Sequence, residues 1–412
     1  MLQSLTIENF KSIYSEKIDL GRVNIFIGAN GSGKSNILEA VAMLSAAKSQ
    51  DLNPDGLTSK GIRVAMPSLT FSSFMYKKPK NEFTVKFTYQ QGEEILEDDT
   101  VLISTGTSIY SEWTEKNIDY SQNKRDIERK KRNDLMHSKY DSITNDSFKE
   151  LLEKLNSIEI SRDTKQDSRN SFINKIMKYL FIPDDIYISL KNFSIYTANT
   201  EALRGVSVES RKQPLGIYGE GLDILIANLT NEERETMLEY TSLIPWLDEI
   251  IISADDNLKY LGYKLGRSNS RLYFKDKHMR RNNNIFSAEN SNEGALHILF
   301  YLALFISKST PSFFAIDNIE SALNPSVCRS LVKEITSLAK SNNKQVLITT
   351  HNPAILDGVN LNDDSTRLFE VYRNDEGHTK TRRIKTKGEN IESLKLSEMW
   401  LRGYIGAINE DF

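Results

Sequence analysis

The stretch Gly28-Ala29-Asn30-Gly31-Ser32-Gly33-Lys34-Ser35 constrains this chain more than any other. It fits the spacing G-x-x-x-x-G-K-S. Before it stands the short apolar run VNIFIG, 23–28. After it comes NILEAVAMLSAAKS, 36–49, in which Ile37, Leu38, Val41 and Leu44 recur at helical spacing. A buried strand, a glycine turn and a helix in this order make a phosphate cradle. The glycines let backbone N–H groups converge on phosphate oxygens, and the helix N-terminus adds positive potential. Lys34 is then expected at the β- and γ-phosphates and Ser35 on Mg²⁺, with Asn30, Gly31, Ser32, Gly33 and Asn36 as further nucleotide contacts.

Two later stretches belong with the first. FFAID, 313–317, is an apolar strand ending in Asp317, a carboxylate placed to hold Mg²⁺ directly or through water. QVLITTHNP, 345–353, sets His351 after another buried strand, where it is expected to sense a γ-phosphate. Alone, each is an ordinary strand end. It is their order after the glycine turn that gives them meaning.

Around these motifs the pattern alternates strand and helix, which favours a parallel sheet. LQSLTIENF, 2–10, alternates as a half-buried strand does. LTFSSFMY (69–76), EFTVKFTYQ (82–90), EILEDDTVLIS (94–104) and TSIYSEW (107–113) predict an antiparallel sheet. Residues 113–182 turn polar, with helical spacing at 148–160, and read as an inserted arm. ETMLEYTSLIPWLDEIII, 235–252, reads as a helix broken before Pro245, and SRLYFKDKH, 270–278, as a strand. ALHILFYLALFI, 295–306, and residues 326–341 read as helices, while RLFEVYR and KTRRIKT read as edge strands. The expected divisions are a lobe at 1–112, an insertion at 113–215 and a second lobe at 216–412.

With 412 residues the chain is long enough for two or three units at about 100–200 residues each. Its single cysteine, Cys328, excludes an internal disulfide framework and fits a reducing cytoplasm. The opening MLQSLTIENFKSI has no basic segment followed by an apolar one, so no secretory signal is expected, and no apolar run is long enough for a membrane helix. A net charge of −3 leaves nucleic-acid contact to local patches. Two exist. KRDIERKKR contributes Lys124, Arg125, Arg129, Lys130, Lys131 and Arg132, and KDKHMRR spans 275–281; each reads either as a nucleic-acid surface or as a solvated charged face. The tail with Met399, Trp400, Leu401, Tyr404 and Ile405 reads either as a docking surface or as a helix packed on the core.

In its motif order the chain resembles the ABC ATPases of the SMC/RecF-like branch. ENFKS resembles that branch's nucleotide-contacting start and points at Lys11. SNEGALHILFYLAL resembles the signature motif, and SALN, 321–324, the D-loop. The whole pattern looks closest to OLD-type ATPases, many of which act in anti-phage defence. The resemblance implies an α/β fold, an ABC-type ATPase head with a mixed parallel core sheet, an antiparallel β subdomain and an inserted helical arm or lid. It also implies a homodimer or higher oligomer closed around ATP, with Ser291, Asn292 and Gly294 supplied by the partner copy, and a separate effector such as a nuclease.

Departures from the pattern shape the expected chemistry. Asn318 stands where ABC proteins carry the catalytic glutamate, and Asn cannot take a proton from water. Glu320 matches a second acidic residue of OLD-like motifs and is the substitute base, with His351 as a water-orienting alternative, so hydrolysis is expected to be slow. OLD nucleases continue into a Toprim domain. Only 61 residues follow His351 here, and Asp363-Asp364 lies in a polar loop, so no nuclease is expected in this chain.

Overall fold

The computed structural model describes residues 1–91, 94–116, 184–206, 214–255, 268–385 and 394–405. The chain divides into two compact units, one of Met1–Glu115 with Asp184–Phe412 and one of Lys116–Pro183. The expected helix at 148–160 and the basic stretch at 124–132 lie outside the described residues, as does NLKYLGYKLG, 257–266, which by its pattern is also expected as a strand.

Among the described residues the first unit is built on three sheets. The antiparallel sheet holds β1 (Leu2–Phe10), β2 (Ile13–Asp19), β4 (Glu82–Gln91), β5 (Glu94–Ile103) and β6 (Thr114–Glu115) in the order β2-β1-β4-β5-β6. The central sheet runs β14 (Thr379–Ile384), β13 (Thr366–Arg373), β3 (Val23–Ile27), β12 (Gln345–Thr349), β11 (Phe313–Ile316), β7 (Ile195–Tyr196). All of its pairings are parallel except β13 with β14. A small antiparallel sheet joins β8 (Leu247–Ile252), β9 (Leu272–Asp276) and β10 (Ile285–Ser287). The α/β expectation of a mixed core sheet with an antiparallel subdomain is met.

The central strands read as continuous apolar runs because both of their faces are covered. Every residue of β3, β11 and β12 is buried. The polar exceptions are Asn24 in β3 and Gln345 and Thr349 at the two ends of β12. Asn24 Oδ1 accepts from Gly21 N at 2.7 Å and its Nδ2 donates to Val346 O at 3.2 Å, so its amide is satisfied internally.

Among the described residues five helices run nine residues or longer: α1 (Lys34–Ser49), α2 (Asp184–Asn192), α3 (Asn231–Glu239), α4 (Glu293–Ile306) and α5 (Pro325–Ser341). In α4 every side chain from Ala295 to Ile306 is buried, as an all-round apolar helix must be. α5 is amphipathic, starting on Pro325 with Asn324 Oδ1 accepting from Val327 N at 3.0 Å. α1 is buried well beyond its expected stripe, Lys34, Glu39 and Lys48 included.

Several expected elements are corrected. Residues 69–76 form no strand: Pro67 opens a helical turn, Pro67–Thr70, and only a single bridge, Phe10 to Phe71, follows. Residues 107–113 are irregular, and β6 starts one residue later. Residues 247–252 are strand, not helix; after Pro245 the β-branched run Ile250-Ile251-Ile252 pairs with β9. β13 is an interior strand, flanked by β3 and β14, and Leu368, Phe369 and Val371 are buried. In the tail, Leu396, Met399 and Ile405 are buried in the core and Trp400 packs against it, whereas Leu401 and Tyr404 are exposed. No helix among the described residues is long and apolar enough to cross a membrane.

Candidate nucleotide site

The C-terminal ends of adjacent parallel strands are where an open α/β sheet places its ligand crevice. β3, β12 and β11 are neighbours, and all three expected motifs leave from those ends. The turn from β3 to α1 is tightly enclosed. A Cβ on Gly28, at φ +148, would lie 2.0 Å from Val371 O, and one on Gly33, at φ +110, would lie 2.2 Å from Thr379 Oγ1. Neither position admits another residue. Gly33 caps α1 without a side chain, which leaves the first-turn N–H groups to a ligand. Ser32 Oγ is buried without a partner among the described residues, and Asn30 and Gly31 are exposed at the loop's apex.

Lys34 is almost wholly buried. Its Nζ donates to Gly28 O at 2.7 Å and to Ala29 O at 2.9 Å. Burial pulls its ammonium down to about 8, against the opposing pull of the Asp317 and Glu320 carboxylates.

Asp317 faces Ser35, whose Oγ donates to Oδ1 at 3.4 Å and Oδ2 at 3.3 Å. Thr349 Oγ1 donates to the same Oδ1 and accepts from Asn318 N at 3.0 Å. A hydroxyl beside a carboxylate is a hard, all-oxygen donor set of the kind Mg²⁺ takes together with phosphate oxygens. The residues present therefore fit the ion: Ser35 and Asp317 would hold it, and bound there it would neutralise phosphate charge.

Asn318 sits at φ 56, a left-handed conformation that Asn tolerates better than most residues. Glu320 Oε1 accepts from His351 N at 2.7 Å, and Oε2 is buried without a partner among the described residues. The His351 side chain is exposed at one side, and partial desolvation together with the nearby Lys34 charge holds its imidazole below its ordinary value. Behind this turn lies Cys328 on α5, fully buried, with a thiol that burial and then Glu320 push up to about 11.

A family model described as an AAA ATPase domain matches residues 1–356. This chain belongs to the AAA ATPase domain family. The DNA replication and repair protein RecF of Listeria welshimeri is 40% identical over 55 residues, and that of Clostridioides difficile 42% over 55. The match takes in 13% of this chain, which spans 15% of the length of those relatives. Among solved structures, an SMC head bound to the C-winged helix domain of ScpA aligns at TM-score 0.49 and 15% identity over 95% of this chain and 99% of that one. The SMC head domain from Thermotoga maritima aligns at 0.47 and 14%, over 93% and 99%.

The remaining expected residues of this AAA ATPase domain fall in two places. Lys11, at φ 47, pairs with Glu39 on α1, and Arg63 Nε bonds the other Glu39 oxygen at 2.5 Å. Ser291, Asn292 and Gly294 sit at the start of α4. Asn292 is its exposed cap, Oδ1 accepting from Ala295 N at 3.3 Å, and a Cβ on Gly294 would lie 3.1 Å from Ala322 O. Of the second basic stretch, Lys275 pairs with Asp248 at 2.9 Å and Glu249 at 3.3 Å, while residues 277–281 are exposed. Asp363 is paired with Lys340, and Asp364 with Arg367 and Arg383.

Sequence reasoning missed four residues that line this candidate site. Thr349 orients Asp317; its signal was a threonine closing an apolar strand two residues before His351. Glu39 was one acidic residue within an apolar helix, a place where a carboxylate needs a partner. Arg373, whose Nε donates to Gly31 O at 3.0 Å, and Thr379 come from β13 and β14, distant in sequence, and no local pattern marks them.

Proposed function

We propose that this AAA ATPase domain is a nucleotide switch: it binds Mg²⁺ATP in the β3–α1 turn, pairs with a second copy across the nucleotide and hydrolyses slowly. The observation that carries this is the Ser35–Asp317–Thr349 arrangement, which assembles a hydroxyl and an oriented carboxylate from three separated sequence segments at the mouth of the phosphate loop. Lys34 supplies charge to the phosphates. Hydrolysis needs a water proton to be taken as oxygen attacks phosphorus and ADP leaves, and Asn318 has no basic group for this. Beyond Asp317, which is committed to the ion, Glu320 is the nearest carboxylate in sequence, anchored through Oε1, and His351 lies beside it. In phosphoryl transfer the protein contributes positioning and charge more than covalent chemistry. Asn292 and Gly294 are the part offered to the second copy, Ser291 beside them being buried rather than presented as the sequence suggested, and Lys11 is a further nucleotide contact.

The test is phosphate release by the purified full chain, with light scattering in the presence of a non-hydrolysable ATP analogue. Release that disappears in Lys34→Ala, with dimers formed on analogue binding, supports the switch. Tight ATP occupancy with no release supports a nucleotide-gated scaffold instead. ATP bound equally well by Lys34→Ala overturns both.

The resemblance to OLD-type ATPases extends the reading to an anti-phage complex with a separate effector, such as a nuclease; co-purification of that effector from the native host is its test. The short RecF match favours a second reading, a DNA-repair ATPase. Stimulation of phosphate release by gapped DNA, lost when the basic residues of 124–132 are neutralised, would select it.

A further inference from the structure

Four side-chain and backbone groups around the phosphate loop form a hydrogen-bond chain with a single direction. Asn36 Nδ2 donates to Ser12 Oγ at 2.7 Å. Thr379 Oγ1 donates to Ser32 O at 2.8 Å, so the contact between Ser12 Oγ and Thr379 Oγ1, also 2.7 Å, has Ser12 as donor. The chain therefore runs from α1, through the turn after β1 and through β14, into the loop itself. Ser12, Ser32 and Thr379 are all buried. The backbone repeats the link, with Thr379 N donating to Ser12 O at 2.8 Å.

The end point of this chain matters for phosphate binding. A trans peptide is planar, with its C=O and N–H on opposite sides. Holding Ser32 O against Thr379 turns the N–H of Gly33 the other way. Thr379 also occupies the volume where a Cβ of Gly33 would stand, so one side chain both demands the glycine and aims its N–H. Hydrogen bonds in series polarise one another, so the chain holds this plane more firmly than an isolated hydroxyl would.

We propose that Ser12 and Thr379 are positioning residues of the phosphate loop, holding the Ser32–Gly33 peptide in the orientation that presents the Gly33 N–H to a bound phosphate. This rests on the nucleotide-switch reading. Neither residue touches the phosphate; both act through Ser32 O, and the recognised ligand is the diphosphate portion shared by ADP and ATP.

The experiment titrates the full chain with fluorescent ADP and ATP analogues and measures the KM and kcat of phosphate release, alongside thermal melts without nucleotide. Thr379→Val keeps the shape and removes the hydroxyl. It is expected to weaken both nucleotides by about tenfold, with KM rising and kcat unchanged. Thr379→Ser restores binding to within about threefold. Ser12→Ala weakens it in the same sense, and the double variant is no worse than Thr379→Val because the two act in one chain. Folded Thr379→Val that binds within twofold of the wild type overturns the proposal, as does failure of Thr379→Ser to rescue. Should Thr379→Val not fold, Ser12→Ala decides in the same way. Wild type that binds neither nucleotide would instead sink the switch reading.

Discussion

Glu320 Oε1 accepts the backbone N–H of His351 at 2.7 Å, joining the turn after β11 to the turn after β12. One carboxylate oxygen is thereby committed to structure. Glu320→Gln keeps that acceptor and removes basicity. If Glu320 is the base, phosphate release should fall by roughly 100-fold while ATP affinity stays near wild type. Single-turnover release set against equilibrium binding checks this. Unchanged release would reduce Glu320 to an anchor and leave His351 as the proton acceptor.

Lys34 makes nucleotide binding proton-linked. Burial lowers its ammonium to about 8, so near pH 8 about half of the molecules hold a neutral amine. A polyphosphate favours the charged form. Binding at pH 8 should therefore take up on the order of half a proton, falling towards none at pH 6. Calorimetry in buffers of differing ionisation enthalpy reads it directly. The same shift has a stability sign. The folded protein releases this proton before the unfolded chain does, so the contribution of Lys34 to stability improves as pH rises from about 8 to 10.5.

Restoring a glutamate at position 318 should trade stability for rate. At φ 56 an Asn is tolerated where a longer side chain is strained. Asn318→Glu is expected to lose about 1 kcal/mol in denaturant unfolding, while phosphate release speeds up. Asn318→Gly should show neither the loss nor the gain. A faster variant with an unchanged denaturation midpoint would contradict the backbone argument.

The start of α4 tests the pairing of two copies. Asn292→Asp preserves the helix cap and adds a negative charge at an exposed position. If that position faces the partner's nucleotide, light scattering should show analogue-induced dimers weakened by about tenfold or more. Nucleotide affinity of the dilute monomer should not change. Equal dimerisation would remove Asn292 from the interface.

Much of this was readable in advance where the cause is local. The β3–α1 turn announces itself because phosphate binding demands glycines and a lysine at fixed spacing. FFAI and the VLI centre of β12 are apolar runs because parallel strands are covered on both faces. What could not be read is what long-range pairing decides. Residues 69–76 look like a strand, yet Pro67 begins a helical turn instead. Residues 247–252 continue a helical spacing, yet pair with β9. Thr379 lies 346 residues after Gly33 (379 − 33), and only the sheet order brings them together.

Cys328 offers a practical opening. It is the sole cysteine of the 412 residues, fully enclosed behind the Glu320–His351 turn, and its thiol is pushed up to about 11. Only the thiolate reacts with ordinary labels, so the native chain is a chemically silent background. One cysteine introduced at Asn292 would carry all of the maleimide or cross-linker signal. Assembly around nucleotide could then be followed in the unstripped wild-type framework, without first deleting any natural side chain.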